Sequence, residues 1–158
     1  MKKVNIPALF ISILIAELTG FLSALLSGNI RGGYDDFIQP PLSPPAILFP
    51  IVWTILYAAM GIAAYLVWDS VRGTAEERRT ALKFYIAQLI VNFTWSIFFF
   101  RFDAYWLSVA IILLLDVLVI ITSLKFKNIN RLAYWLMIPY IIWLLFATYL
   151  NIGVAVLN

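Results

Sequence analysis

The chain has 158 residues, of which 64% are hydrophobic and only 12% charged, with a formal net charge of +3. A soluble domain is about half apolar and a quarter charged, so this composition excludes an ordinary soluble protein and points to one domain in a bilayer. With no cysteine and no histidine it also excludes disulfides, thiolate metal centres and the usual histidine base or metal ligand.

Five apolar runs follow in chain order, at about 6–27, 45–68, 81–100, 104–124 and 132–152. Each approaches the roughly 20 residues that cross a hydrocarbon core as a helix. A helix is the required form, because lipid offers no partner to a free backbone N–H or C=O. The predicted fold is therefore an all-α bundle of five transmembrane helices, with one long loop between the first and second.

Run one begins after Lys2 and Lys3, as a signal peptide does. It is longer than an h-region and no A-x-A site follows, so it reads as a retained span. It carries Ser12, Ala16, Gly20, Ala24 and Gly28 at successive i+4 positions. Such a line of small side chains lets another backbone approach. Packing inside the bundle and a homodimer through Gly20, Ala24 and Gly28 are both compatible with it.

The loop that follows, GNIRGGYDDFIQPPLS, leads into PPAILFPIVW. Pro40, Pro41, Pro44, Pro45 and Pro50 account for five of the chain's seven prolines. Each fixes φ and deletes an N–H, and each pushes the residue before it out of the α region. Residues 39–44 are expected to be extended and stiff, with Pro45 as the first helical residue. One proline would suffice to stop and start a helix. Four before the helix suggest a loop held in place over the bundle, losing little entropy when something binds beneath it.

Between runs two and three, Thr74 and Glu77 have the spacing of a capping box. The link at 101–103 is short, which makes the third and fourth helices antiparallel neighbours. Lys2, Lys3, Arg72, Arg78, Arg79, Lys83, Lys125, Lys127 and Arg131 lie on the N-terminal side, against Arg31 and Arg101 on the other. The positive-inside rule then puts the N-terminus in the cytoplasm, and the C-terminus and the 28–43 loop outside a cell membrane. The same bias explains the basic pI near 9.3 without a nucleic-acid partner.

Helical spacing gathers aromatic and amide side chains on three of the runs. Trp53 and Tyr57 share a face of the second. Gln88, Asn92, Trp95 and Phe99 share one on the third. Tyr140, Trp143, Ala147 and Asn151 share one on the fifth. A slot between these faces would suit a flat polycyclic guest, each stacking pair adding about 0.5–1.5 kcal/mol beyond area burial. Ordinary core packing and amide hydrogen bonds across helices are the alternative. Trp68, Trp106 and Trp135, near run ends, read as interfacial residues. Glu17 and Asp116 lie within spans, where a charge costs at least ~2.5–3.5 kcal/mol on the insertion scale given for Asp. Asp116 is expected to hydrogen-bond inside the bundle, to an indole N–H or a hydroxyl. For both acids a buried structural bond, a proton relay and a ligand contact stay open. No metal site is predicted.

Taken together, GGYDDFIQPPLSPPAILFPIVWTILYAAMG, QLIVNFTWS, Asp116 in the fourth run and IPYIIWLLFATYLN resemble the tryptophan-rich sensory protein family, also called the translocator protein or peripheral-type benzodiazepine receptor family. The likeness covers nearly the whole chain. It departs at Gly33, where an aromatic is common, at Gln39-Pro40, where Lys-Pro is common, and at Leu42, where Trp or Phe is common.

The resemblance implies a pocket in the bundle roofed by the first loop. It adds Tyr34, Pro44 and Pro45 to the candidate ligand-binding residues. It implies protoporphyrin IX or a related tetrapyrrole as ligand, with synthetic benzodiazepine-type compounds, and no obligatory cofactor. After Tyr149 no Lys or Arg follows, so the proposed cholesterol pattern is missing. The leading reading is a membrane binding or sensory protein. An alternative is a light-dependent porphyrin-degrading enzyme, with Trp53 or Trp143 as electron donor or quencher. A further alternative is a porphyrin or sterol transporter, against which stands the absence of any inverted repeat in the sequence.

Overall fold

The computed structural model describes residues 4–28, 34 and 36–158. Lys2, Lys3, Arg31, Gly33 and Asp35, which entered the sequence reading, lie outside the described residues. The chain forms five long helices: α1 (Ile6–Leu26), α2 (Leu48–Trp68), α3 (Ala75–Phe100), α4 (Tyr105–Ile129) and α5 (Arg131–Leu157). All five are long and apolar enough to cross a membrane. At 1.5 Å per residue, 21 residues reach about 31 Å, enough for the hydrocarbon core. The chain is a multi-pass membrane protein.

Local chemistry explains where the helices start. Asn5 caps α1, its Oδ1 accepting from the Ala8 N–H at 3.2 Å. The capping box at α3 is complete: the Glu77 N–H donates to Thr74 Oγ1 at 3.1 Å, and the Thr74 N–H to Glu77 Oε2 at 2.6 Å. This cap starts α3 at Ala75, six residues before the apolar run, so its first turns are charged.

Three boundaries differ from expectation. α2 begins at Leu48 and not at Pro45. The carbonyl of Ala46 would find its i+4 partner at Pro50, which has no N–H. The Phe49 N–H takes that carbonyl instead at 3.4 Å, and the Leu48 N–H takes the Pro45 carbonyl at 2.9 Å. The entry to α2 is thus a tight turn of i+3 bonds. The stretch 125–131, expected as a loop, is helical except for Asn130. That residue ends α4 and caps α5, its Oδ1 accepting from the Leu132 and Ala133 N–H groups at 2.9 and 3.2 Å. α5 also runs past 152 to Leu157.

Around the bundle the helices follow the order α1, α2, α5, α4, α3, with α1 closing back on α3. α1 is the outermost: only Ala16 and Ser23 are buried along it, and its large apolar side chains face lipid. Ser12 and Gly20 pack against α2. Ser12 Oγ donates to the Gly61 carbonyl at 2.7 Å. A β-carbon on Gly61 would strike the α1 backbone at Ile13, and one on Gly20 would strike the Tyr57 ring. Ala24 and Gly28 are exposed. Toward its C-terminal end α1 is tied to α3 instead. Ser23 Oγ donates to the Phe93 carbonyl at 2.7 Å. Ser23 and Ser27 both hydrogen-bond Ser96, and Arg101 Nη1 donates to the Leu26 carbonyl at 3.0 Å.

Candidate functional site

A cavity of about 550 Å³ lies where α1 passes from α2 to α3. Its volume falls within the roughly 300–1,000 Å³ of small-molecule sites. α1 supplies Glu17, Leu18, Gly20, Phe21, Ser23 and Ala24. The second wall is Ala46, in the turn before α2, with Phe49, Pro50, Trp53, Thr54 and Tyr57 of α2, and α3 adds Asn92, Trp95, Ser96 and Phe100. These belong to the end of α1, the start of α2 and the end of α3, so the cavity sits in the half of the bundle that bears the 28–43 loop. Leu18, Phe21, Pro50 and Thr54 are exposed. The cavity therefore opens sideways between α1 and α2, toward lipid.

Trp53 is the hub of the aromatic wall. Its ring centroid is 5.6 Å from Tyr57, 6.3 Å from Trp95 and 6.0 Å from Tyr140. Behind the wall, the amides are spent on other side chains. Tyr57 OH donates to Asn92 Oδ1 at 2.9 Å, Asn92 Nδ2 to Tyr140 Oη at 2.7 Å, and Tyr140 OH to Gln88 Oε1 at 3.0 Å. Trp95 Nε1 donates to Asn151 Oδ1 at 2.8 Å, and Asn151 Nδ2 to Ser108 Oγ at 2.9 Å. A buried polar group needs a partner, and here each finds one on a neighbouring helix. The wall is thereby fixed from behind.

Of the residues singled out in the sequence, Trp53, Tyr57, Asn92 and Trp95 line the cavity. Gln88, Tyr140 and Asn151 are buried in the network behind it, and Ala147 is buried on α5. The slot expected between α2, α3 and α5 is occupied by these side chains themselves. Phe99 packs on Trp95 at 5.8 Å. Trp143 lies outside the cavity, 6.0 Å from Phe49, with its Nε1 buried and unpartnered among the described residues. Asp116 Oδ2 accepts from Thr148 Oγ1 at 2.9 Å, joining α4 to α5 away from the cavity. Trp68, Trp106 and Trp135 are exposed. Among the described residues no group of three or more His, Cys, Asp or Glu gathers as a metal site.

The loop residues form a strap at the same end. Tyr34 OH donates to the Pro44 carbonyl at 2.7 Å, and its ring meets Phe37 at 5.5 Å and Phe49 at 5.0 Å. Phe49 is itself a cavity residue, so Tyr34 sits one contact from the site and Pro44, bonded to Tyr34, one contact further. Pro45 is exposed. Phe37 packs on Phe99 at 5.6 Å and Tyr105 at 6.1 Å.

Sequence reasoning missed α1 as a wall, together with Phe49 and Phe100. The signal was present: Glu17, Gly20 and Ala24 recur at i, i+3 and i+7, one polar group beside two small residues.

Residues 11–157 match the model of the TspO/MBR family. The chain is 34% identical to the tryptophan-rich protein TspO of Archaeoglobus fulgidus over 155 residues, covering 98% of this chain and 99% of that one. It is 31% identical to the translocator protein of Bos taurus over 139 residues, covering 87% and 82%. Against the tryptophan-rich sensory protein of Cereibacter sphaeroides it is 34% identical over 125 residues, covering 79% and 76%.

Proposed function

The chain belongs to the TspO/MBR family, and from that membership we propose that it is a membrane binding and sensory protein that holds a planar hydrophobic ligand, a porphyrin-type tetrapyrrole, in the cavity between α1, α2 and α3. The observation that carries this reading is the Trp53–Trp95–Tyr57 wall on that cavity. Its rings present flat π-faces, and the Asn92 and Asn151 bonds hold two of them in position before any ligand arrives. A wall ordered in advance loses little entropy on binding. The lateral opening supports entry of an apolar guest from the bilayer. The strap formed by Tyr34 and residues 36–47 covers the bundle beside the site, and the N-terminus faces the cytoplasm.

The test is a titration of protoporphyrin IX against the purified protein, followed by porphyrin fluorescence. Trp53→Ala is expected to weaken binding at least tenfold, a loss of about 1.4 kcal/mol. Trp143→Ala is expected to change it less. Equal affinity in wild type, Trp53→Ala and Trp95→Ala would remove the cavity from consideration.

One observation favours a second, photochemical reading. Trp53 touches Tyr57, Trp95 and Tyr140 in one connected set of oxidisable rings. A bound pigment would supply the chemistry by absorbing light, with dissolved dioxygen as oxidant and no acid–base dyad required. Bleaching of illuminated porphyrin no faster than with an unrelated membrane protein would end this reading.

A further inference from the structure

The cavity contains one carboxyl group that the binding reading does not use. Glu17 lies on the α1 wall beside Gly20, opposite Trp53 and Tyr57. Apart from the Trp53 indole, the other polar side chains of the lining are satisfied within the protein. Ser23 and Ser96 bond each other, Thr54 bonds the Pro50 carbonyl, and Tyr57 and Asn92 bond each other. The Glu17 carboxyl has no hydrogen bond or ion pair to any of the described residues. Trp53 Nε1 likewise makes no hydrogen bond to them. The site thus offers a ligand one acid and one indole N–H among side chains that are apolar or already hydrogen-bonded.

An ionisable side chain at this depth is costly, and it is usually paired or placed on a ligand or ion path. Glu17 has the exposure of a wall residue and no partner among the described residues. A carboxylate favours a cation or an N–H donor and repels another carboxylate, and low-dielectric walls strengthen both effects.

We propose that Glu17 is a specificity-determining residue of this cavity, selecting flat aromatic ligands that carry a cationic or N–H-bearing nitrogen at the edge and disfavouring those with a carboxylate there. The inference rests on the proposed binding site. For a dicarboxylate such as protoporphyrin IX, it requires the acid groups to point away from α1. Net charge does not produce the same preference, because a chain of formal charge +3 attracts the anion.

The experiment compares two probes with one ring system, 9-aminoacridine and acridine-9-carboxylate, binding to the full-length protein in nanodiscs of uncharged lipid. Wild type is expected to bind the amine at least tenfold more tightly than the acid. Glu17→Gln is expected to bring that ratio close to one, and Glu17→Asp to retain part of it. Glu17→Met gives the same reading if the amide variant does not fold. An unchanged ratio in the Gln or Met variant, or no preference in wild type, overturns the proposal. Trp53→Ala separates the two levels. If it weakens both probes while Glu17→Gln leaves the ratio intact, the cavity stands and the Glu17 inference alone fails. If it weakens neither, the site itself is refuted.

Discussion

Gly153 in α5 lies directly against Pro40: a β-carbon placed on it would stand 2.5 Å from the Pro40 Cβ. Two further ties hold the same stretch. Tyr149 OH donates to the Pro41 carbonyl at 2.8 Å. Asn158 bonds Ile38 in both directions, accepting from its N–H at 2.9 Å and donating to its carbonyl at 3.1 Å. The proline-rich segment is therefore strapped to the last turns of the C-terminal helix. Gly153→Val is expected to force the two apart at about 1–3 kcal/mol, the usual cost of overpacking. The measurements are the melting temperature in detergent, which should fall, and proteolysis between residues 36 and 44, which should quicken.

The Asn92 amide joins three helices through Tyr57 and Tyr140. Asn92→Leu leaves the Tyr57 hydroxyl without its acceptor, whereas Tyr140 keeps Gln88. The expected loss is about 1–3 kcal/mol for a buried polar group left unpaired. Unfolding by denaturing detergent measures it. Porphyrin affinity should fall as well, because Tyr57 forms part of the cavity wall.

Close approach of α1 and α2 depends on two glycines that differ in what they meet. Gly61 faces the backbone of Ile13, which cannot turn aside, and Gly20 faces the ring of Tyr57. Gly61→Val should therefore destabilise more than Gly20→Val. Gly20→Val should instead take space from the cavity and weaken ligand binding. Paired thermal melts and titrations on the two variants distinguish these outcomes.

Asp116 needs only to accept a hydrogen bond from Thr148, and an amide oxygen can do that. Asp116→Asn should leave stability within about 0.6 kcal/mol of wild type, the average size of such bonds in membranes. Ligand affinity should stay unchanged, since Asp116 lies outside the cavity lining. A threefold or greater fall in affinity would show that the acid communicates with the site.

Membrane orientation can be read with single cysteines, because the chain has none of its own. Ser70→Cys lies in the link between α2 and α3, and Asp103→Cys in the link between α3 and α4. An impermeant maleimide should label position 103 in intact cells, and position 70 only after the membrane is opened. The reverse pattern would invert the assigned topology.

The five spans and the α3 cap were legible in the sequence because each follows from local chemistry, whereas residues 39–44, expected to be extended, close a turn in which the Ser43 N–H donates to the Pro40 carbonyl at 3.3 Å and Leu42 takes a φ of 66°. Hydropathy over about 20 residues forces a helix in lipid. A Thr and a Glu three apart satisfy each other's backbone N–H groups, and proline restricts its own φ wherever it stands. Helical spacing likewise put Gln88 and Asn92 on one face, and Trp53 and Tyr57 on another. Spacing cannot say which faces meet, since that depends on how five rods pack. Packing turned Gln88, Asn92 and Asn151 toward phenols and an indole on neighbouring helices and filled the expected α2–α3–α5 slot with them. It left the open space beside α1, where the small Ala24 does not close it and Glu17 has no partner among the described residues.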